Sequence, residues 1–255
     1  MDPLPSTGED ASNPRPGTLH EFVAGAINDA ILAGRLQPNQ RIAPESLAKE
    51  LGVSHIPVRE ALQSLVGQGQ VVRRSYRGFY VPAQSLADFA DAHLWRQVLE
   101  EKAYEMACDR ITDADLAKMR AVYDQMTVAM EEGDWVRHAR LNRDFHLLPV
   151  RAVGSERLER FLTYLWNVCD LYFATMIRAG GDVPRLQEQH LELTGAFAAR
   201  DAAAVNAIMR RHRQFSFDVI RPAISEPKSP PLLVDLRARP PRRRQQGPPD
   251  GQDSR

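Results

Sequence analysis

The chain has 255 residues, enough for two compact domains each with its own core. Apolar residues make up 43% and charged residues 26%, ordinary globular values, and the formal net charge of zero argues against a nucleic-acid partner until the distribution of charge is read. Cys108 and Cys169, each inside a helical pattern, exclude a disulfide scaffold. The absence of both a signal pattern and an apolar run of roughly 20 residues leaves a cytoplasmic protein with no membrane partner as the expectation.

Residues 1–17 are rich in Pro, Gly, Ser and acids and read as a disordered leader. Thr18 with Glu21 forms a capping box, and Leu19, Phe22, Val23, Ala26, Ile27, Ala30 and Ile31 then recur at helical spacing until Gly34. After a loop over 35–43, PESLAKELG predicts a short second helix with Leu47, Ala48 and Leu51 inward. Gly52 ends it, Ser54 caps the next helix, and Val58, Ala61, Leu62, Leu65 and Val66 form that helix's buried stripe. VVRRSYRGFYV predicts two strands joined by a turn containing Gly78.

Two short helices separated by Gly52-Val53-Ser54 are what a helix-turn-helix needs. Burying Val58, Leu62 and Leu65 leaves His55, Arg59 and Gln63 on the opposite face at i+4 steps, suited to phosphate and base-edge contact, with Ser54 able to donate to a phosphate. Arg73, Arg74 and Arg77 around Gly78 fit a wing that reaches the DNA backbone or minor groove. Over residues 17–82 the seven Lys and Arg exceed the five Asp and Glu, and local charge is what counterion release depends on. The stretch LAKELGVSHIPVREALQSL…GQVVRRSYRGFYV resembles the N-terminal domain of the GntR family of bacterial regulators, over roughly residues 18–82. The resemblance, carried by the Leu51-Gly52-Val53-Ser54 turn and the run Pro57-Val58-Arg59-Glu60-Ala61-Leu62, implies that Arg59, His55 and the wing contact an operator, and Ser54 and Pro57 are counted with the DNA-binding residues. The family usually has Arg where this chain has His55, and Pro-Gly where it has Asn39-Gln40; the second change is expected to alter only a loop.

From Ser85 to 221 no strand signal appears. Helix starts at Ser85, Thr112, Asp134, Ser155, Asp182 and Asp201, with breaks at Gly133, Gly154 and Gly180–Gly181, predict about six helices in a bundle. His146, His190 and His212 fall on three of them. Asn142 precedes His146 by one turn on the same face, while Asp144 falls on the wrong face. Three imidazoles and one oxygen suit Zn, Ni or another divalent metal ion, although a lone interhelical histidine is more often a satisfied polar group than a ligand. The set, with Arg96 and Leu99-Glu100 near the domain start and Phe145-His146, resembles the FCD domain of the FadR subgroup over about 85–221. That family carries Asp where this chain has Asn142. The resemblance implies metal-anchored binding of a small carboxylate, Arg96 being the residue best matched to pair with it; Arg140 and Arg143 read as surface charges. Residues 225–255 form a Pro/Arg-rich disordered tail, with Arg242, Arg243 and Arg244 adding at most non-specific DNA attraction.

The expected fold is therefore mainly α: an N-terminal winged helix-turn-helix with a small β-hairpin wing (18–82) and a C-terminal all-helical bundle of six to seven helices (85–221). The expected function is a homodimeric, ligand-responsive transcription regulator of double-stranded operator DNA. Two alternatives stand beside it. A metal-dependent helical-bundle enzyme lacks a general base at sensible spacing and leaves the first 82 residues unexplained. A regulator with purely structural histidines would have no small-molecule effector.

Overall fold

The computed structural model describes residues 16–224. The expected leader, apart from Pro16 and Gly17, and the expected tail with its Arg242–Arg244 run lie outside the described residues. Helix α1 (Pro16–Leu32) begins two residues ahead of the Thr18 start expected from the capping box, and the Thr18 side chain lies outside the described set. Val23, Ile27 and Ile31 of α1 are buried, whereas Phe22, expected on the same stripe, is exposed.

Helices α2 (Pro44–Leu51) and α3 (His55–Gly67) follow. Gly52 ends α2 in the left-handed region, at φ 68°, and partly buried Val53 fills the angle between the helices. Ser54 occupies the N-cap position of α3 but makes no side-chain capping bond, so the expected cap is not formed. Two strands, β2 (Val72–Arg74) and β3 (Gly78–Tyr80), make the wing; Gly78 opens β3 rather than lying in the turn. A third strand, β1 (Arg41–Ile42), went unseen in the sequence because only two residues of the 35–43 loop pair. All pairing is antiparallel, in the order β1-β3-β2, with Ile42 opposite Phe79.

Seven helices follow: α4 (Leu86–Arg110), α5 (Asp113–Glu131), α6 (Trp135–Ala152), α7 (Glu156–Asp170), α8 (Phe173–Arg178), α9 (Val183–Ala198) and α10 (Ala202–Ala223). Each of the six expected caps accepts from the backbone N–H three residues on, from Ser85 and Asp88 (3.1 Å) to Asp201 and Ala204 (2.9 Å). Caps of this kind each stabilise a helix by about 1 kcal/mol. The short α8, with no side-chain cap, is the helix the sequence signals missed.

One apolar cluster fills the α4–α7, α9 and α10 bundle around Tyr104, Phe145, Leu193 and Phe197. A second begins in α1–α3 with Ile27, Leu62 and Leu65, and continues without a break through Val168, Leu171 and Tyr172 of the α7–α8 region. The reading head is thus packed onto the bundle. Tyr172 clasps the connecting segment, its hydroxyl donating to the Ser85 carbonyl (3.2 Å). Asn167 of α7 donates to the Gln68 carbonyl just past the end of α3 (3.4 Å).

Gly69 lies at this seam with φ 77°, and a Cβ there would come within 2.8 Å of the Tyr164 ring and 3.1 Å of Val168. Gly69→Ala is therefore expected to lower stability by about 1–3 kcal/mol through positive φ and overpacking together. Urea unfolding checks this; an unchanged midpoint would mean that the seam yields freely.

Candidate functional site

Two sites emerge. The first is the exposed face of α3 and the wing. Packing of Val58, Ala61, Leu62 and Leu65 against α1 and α2 leaves His55, Arg59 and Gln63 exposed along one line, with Ser54 exposed at its start and Pro57 partly buried. Arg73, Arg74 and Arg77 are exposed beside them, with Gly78 partly buried. Ile56 of α3 and the wing-tip Tyr76 are large exposed side chains that sequence reasoning did not single out.

Arg74 is held rather than free. It donates to Asn39 Oδ1 (3.0 Å), and its guanidinium lies 4.4 Å from the Tyr80 ring centre. Asn39 adopts φ 64°, a conformation Asn tolerates better than most residues. The Asn39-Gln40 departure therefore does more than alter a loop: it supplies the acceptor that orients a wing arginine.

The second site is a cavity inside the bundle, among α4, α6, α7, α8, α9 and α10. His146 on α6, His190 on α9 and His212 on α10 are all buried, and each offers a nitrogen within 4.8 Å of the other two. His190 and His212 meet across the antiparallel α9–α10 pair with ring centres 4.7 Å apart, as their 22-residue spacing leads one to expect. His146 Nε2 lies 3.1 Å from His190 Nε2.

Hydrogen bonds on the outer side of each ring decide its tautomer. Gln187 donates its amide to the Tyr123 carbonyl (3.0 Å) and Thr127 Oγ1 (2.9 Å), which turns Oε1 toward His190 Nδ1 (3.3 Å). Gln189 Oε1 faces His212 Nδ1 (3.0 Å). The Tyr104 hydroxyl donates to the His146 carbonyl (3.0 Å), leaving its oxygen to accept from His146 Nδ1 (3.4 Å). With Nδ1 engaged on the outer side, Nε2 is the nitrogen that His146 and His190 turn toward each other. Such a donor set fits a divalent ion. Asn142, one turn before His146, lines the same cavity.

Arg96 enters from α4, buried, with its guanidinium 4.1 Å from the Trp166 ring centre. Its Nε is 3.6 Å from Glu100, too far for a hydrogen bond, and has no hydrogen-bond partner among the described residues. Glu100 itself is claimed by fully buried Arg213 (3.0 Å) and by the Trp166 indole N–H (2.8 Å). Arg96 therefore shares the Glu100 carboxylate with Arg213, two buried guanidinium groups around one carboxylate.

Arg143 is neither a free surface charge nor a cavity ligand: it donates to Asp170 (3.0 Å) and Asn167 (2.8 Å). Arg140 pairs with Asp29 of α1. Asp144 is exposed and faces Arg151 (3.8 Å), as its face predicted. Sequence reasoning overlooked His93, His138 and Asp170, which also line the cavity. The i, i+4, i+8 run His138, Asn142, His146 was the available signal for one of them.

A winged helix-turn-helix joined to a helical ligand-binding bundle defines a DNA-binding regulator. The sequence matches the family model described as "Bacterial regulatory proteins, gntR family" over residues 19–81 and the FCD domain over 88–215. The chain belongs to the GntR family of transcription regulators and carries an FCD effector-binding domain, which is consistent with the FadR subgroup. Among its relatives, the HTH-type regulator BphR of Paraburkholderia xenovorans (strain LB400) is 30% identical over 80% of this chain and 86% of that protein. The Nta operon transcriptional regulator of Aminobacter aminovorans is 31% identical over 74% and 90%. The fold resembles Escherichia coli McbR/YncC, with a TM-score of 0.72 at 23% identity, covering 81% of this chain and 99% of that one. These families and relatives are transcription regulators, not enzymes. Among the described residues no helix is long and apolar enough to cross a membrane.

Burial holds His93 and His138 at a pKa of about 4 and His212 at about 3, and pushes His146 and His190 well below their ordinary value. Below pH 6.5 the unfolded chain binds protons that these rings refuse, so stability falls as pH drops. Asp170, raised by burial to about 6, works the other way between its ordinary 3.8 and that value, but it is one group against five. Metal-free protein is expected to lose of order 1–2 kcal/mol per imidazole between pH 7 and 5. A urea midpoint that stays level or rises over that interval would contradict the cavity's neutrality.

Proposed function

We propose that the protein binds a near-palindromic operator as a homodimer and that a small carboxylate, anchored on a divalent metal, modulates that binding. The observation that carries the DNA reading is the outward line His55–Arg59–Gln63 flanked by the wing arginines. Arg59 is the base-reading candidate, since an arginine pairs with guanine through two parallel hydrogen bonds. Ser54, with its hydroxyl free of capping, and Arg73 and Arg77 suit phosphate contact, which sets register without reading sequence. His55, where the family usually has Arg, is a shorter donor without the forked guanidinium, which favours a different operator preference.

For dimerisation, Leu94, Trp95 and Val98 form an apolar patch on the outer face of α4, each about half exposed, and exposed patches of this kind mark association surfaces. Two recognition helices about one DNA turn apart would then meet a two-fold operator.

His146, His190 and His212 are the metal ligands in this reading, with Asn142 as an oxygen ligand weaker than a carboxylate. The three rings each offer a nitrogen within 4.8 Å of the other two, close enough to share one ion, which supports this reading. Zn and Ni suit three nitrogens. The metal would supply open coordination positions for an anion, and Arg96 a second positive contact. The cavity of about 60 Å³ is several times what one water needs, room for a compact acid.

A continuous polar chain runs from the cavity to the reading head: Asp170 to Arg143, Arg143 to Asn167, and Asn167 to the Gln68 carbonyl past the end of α3. Effector binding beside Asp170 can bias the seating of α3 through these contacts.

In a mobility-shift assay on DNA upstream of its own gene, the protein is expected to retard the fragment, and Arg59→Ala to weaken it by about tenfold to a hundredfold, the value of one bidentate base contact. No retardation at low salt would overturn the DNA reading. Protein purified without chelator is expected to hold close to one divalent ion per chain by elemental analysis, and His190→Ala to lose it. Metal-free wild-type protein that takes up no added Zn or Ni would leave the histidines purely structural.

A further inference from the structure

His138 sits on α6 one turn before Asn142 and two before His146, on the same helix face, and lines the same cavity. Its side chain is buried at 3% exposure, yet neither ring nitrogen has a hydrogen-bond partner among the described residues. The other four imidazoles of the cavity each have one: His93 with the Arg213 carbonyl (3.2 Å), and the three clustered histidines with the groups described above. His138 does not belong to the cluster able to share one ion. What holds its plane is apolar, the Phe173 ring stacked at 5.8 Å and the Trp135 edge at 6.1 Å.

Buried polar atoms are nearly always paired. A phenylalanine at this position would pack on Phe173 equally well, so the two nitrogens need a different explanation. The neighbouring lining narrows what they can meet. Phe89, Phe173, Met176 and Ile220 offer an apolar body site, and Arg96 offers the cation. Burial keeps the His138 ring neutral, with its pKa near 4, so it is not a second anchor for a carboxylate.

We propose that His138 is a specificity-determining residue that hydrogen-bonds an uncharged hydroxyl on the effector, which makes the effector class a small hydroxy-carboxylate with an apolar body. The acid group goes to the metal and Arg96, the hydrocarbon or ring to Phe89, Phe173, Met176 and Ile220, and the hydroxyl to an imidazole that can donate from one nitrogen or accept at the other. This rests on the effector reading above and narrows it.

The test uses full-length, metal-loaded protein and calorimetric titration with matched acids: benzoate against 3- and 4-hydroxybenzoate, and butyrate against 3- and 4-hydroxybutyrate. At least one hydroxy acid is expected to bind wild type about tenfold tighter than its parent, because a site built around a hydroxyl discriminates against the analogue that lacks it. In His138→Phe that advantage is expected to vanish while the parent acid's affinity and the metal content hold; in His138→Gln, which keeps a donor and an acceptor, part of it is expected to remain. The inference is overturned if the advantage persists in His138→Phe, if no hydroxy acid outbinds its parent, or if His138→Phe loses the metal. Parent acids that bind without any hydroxyl preference would sink this inference alone. Wild-type protein that binds none of the six acids would sink the carboxylate-effector reading with it.

Discussion

The arrangement at the centre of the bundle rests on three buried, neutral imidazoles whose Nδ1 atoms each meet a polar partner on the outer side. Tyr104, Gln187 and Gln189 take up the Nδ1 positions of His146, His190 and His212. Burial keeps the rings from protonation, because a charged imidazole there would lose its hydration. The surrounding helices are positioned accordingly: α6, α9 and α10 each contribute one ring, and α4 supplies Tyr104 from behind and Arg96 from the side.

The same cavity explains why the bundle carries so much buried charge. Glu100 and Arg213 are almost fully enclosed and pair with each other, and the Trp166 N–H satisfies the remaining carboxylate oxygen. Removing one partner of such a pair costs about 3–5 kcal/mol, whereas replacing both with apolar side chains is often harmless. Its value to this protein is therefore not simply stability. Glu100 serves Arg213 and Arg96 together, which sets the Arg96 guanidinium at the cavity wall on the Trp166 ring.

The reading head is exposed on one side and committed on the other. Among the described residues the outer face of α3 carries no packing partner, yet its C-terminal end is bound to α7 through Asn167 and wedged at Gly69 against Tyr164. Asn167 and Asp170 share Arg143, so the seam and the cavity are separated by a single side chain.

Local signals in the sequence sufficed for the helices that begin with a cap: Ser85, Thr112, Asp134, Ser155, Asp182 and Asp201 all accept the backbone bond that their spacing predicts, because capping is a property of four consecutive residues. The α3 stripe, the wing arginines and the meeting of His190 with His212 were legible for the same reason, as matters of period and spacing. Tertiary structure alone decided the rest. It paired β1 with β3, started α8 without a cap, paired half-buried Arg143 with Asp170, and brought His93 from α4 and Asp170 from α7 to the same cavity. Those outcomes depend on which helix faces meet across the bundle, and no local spacing encodes a partner contributed by another helix.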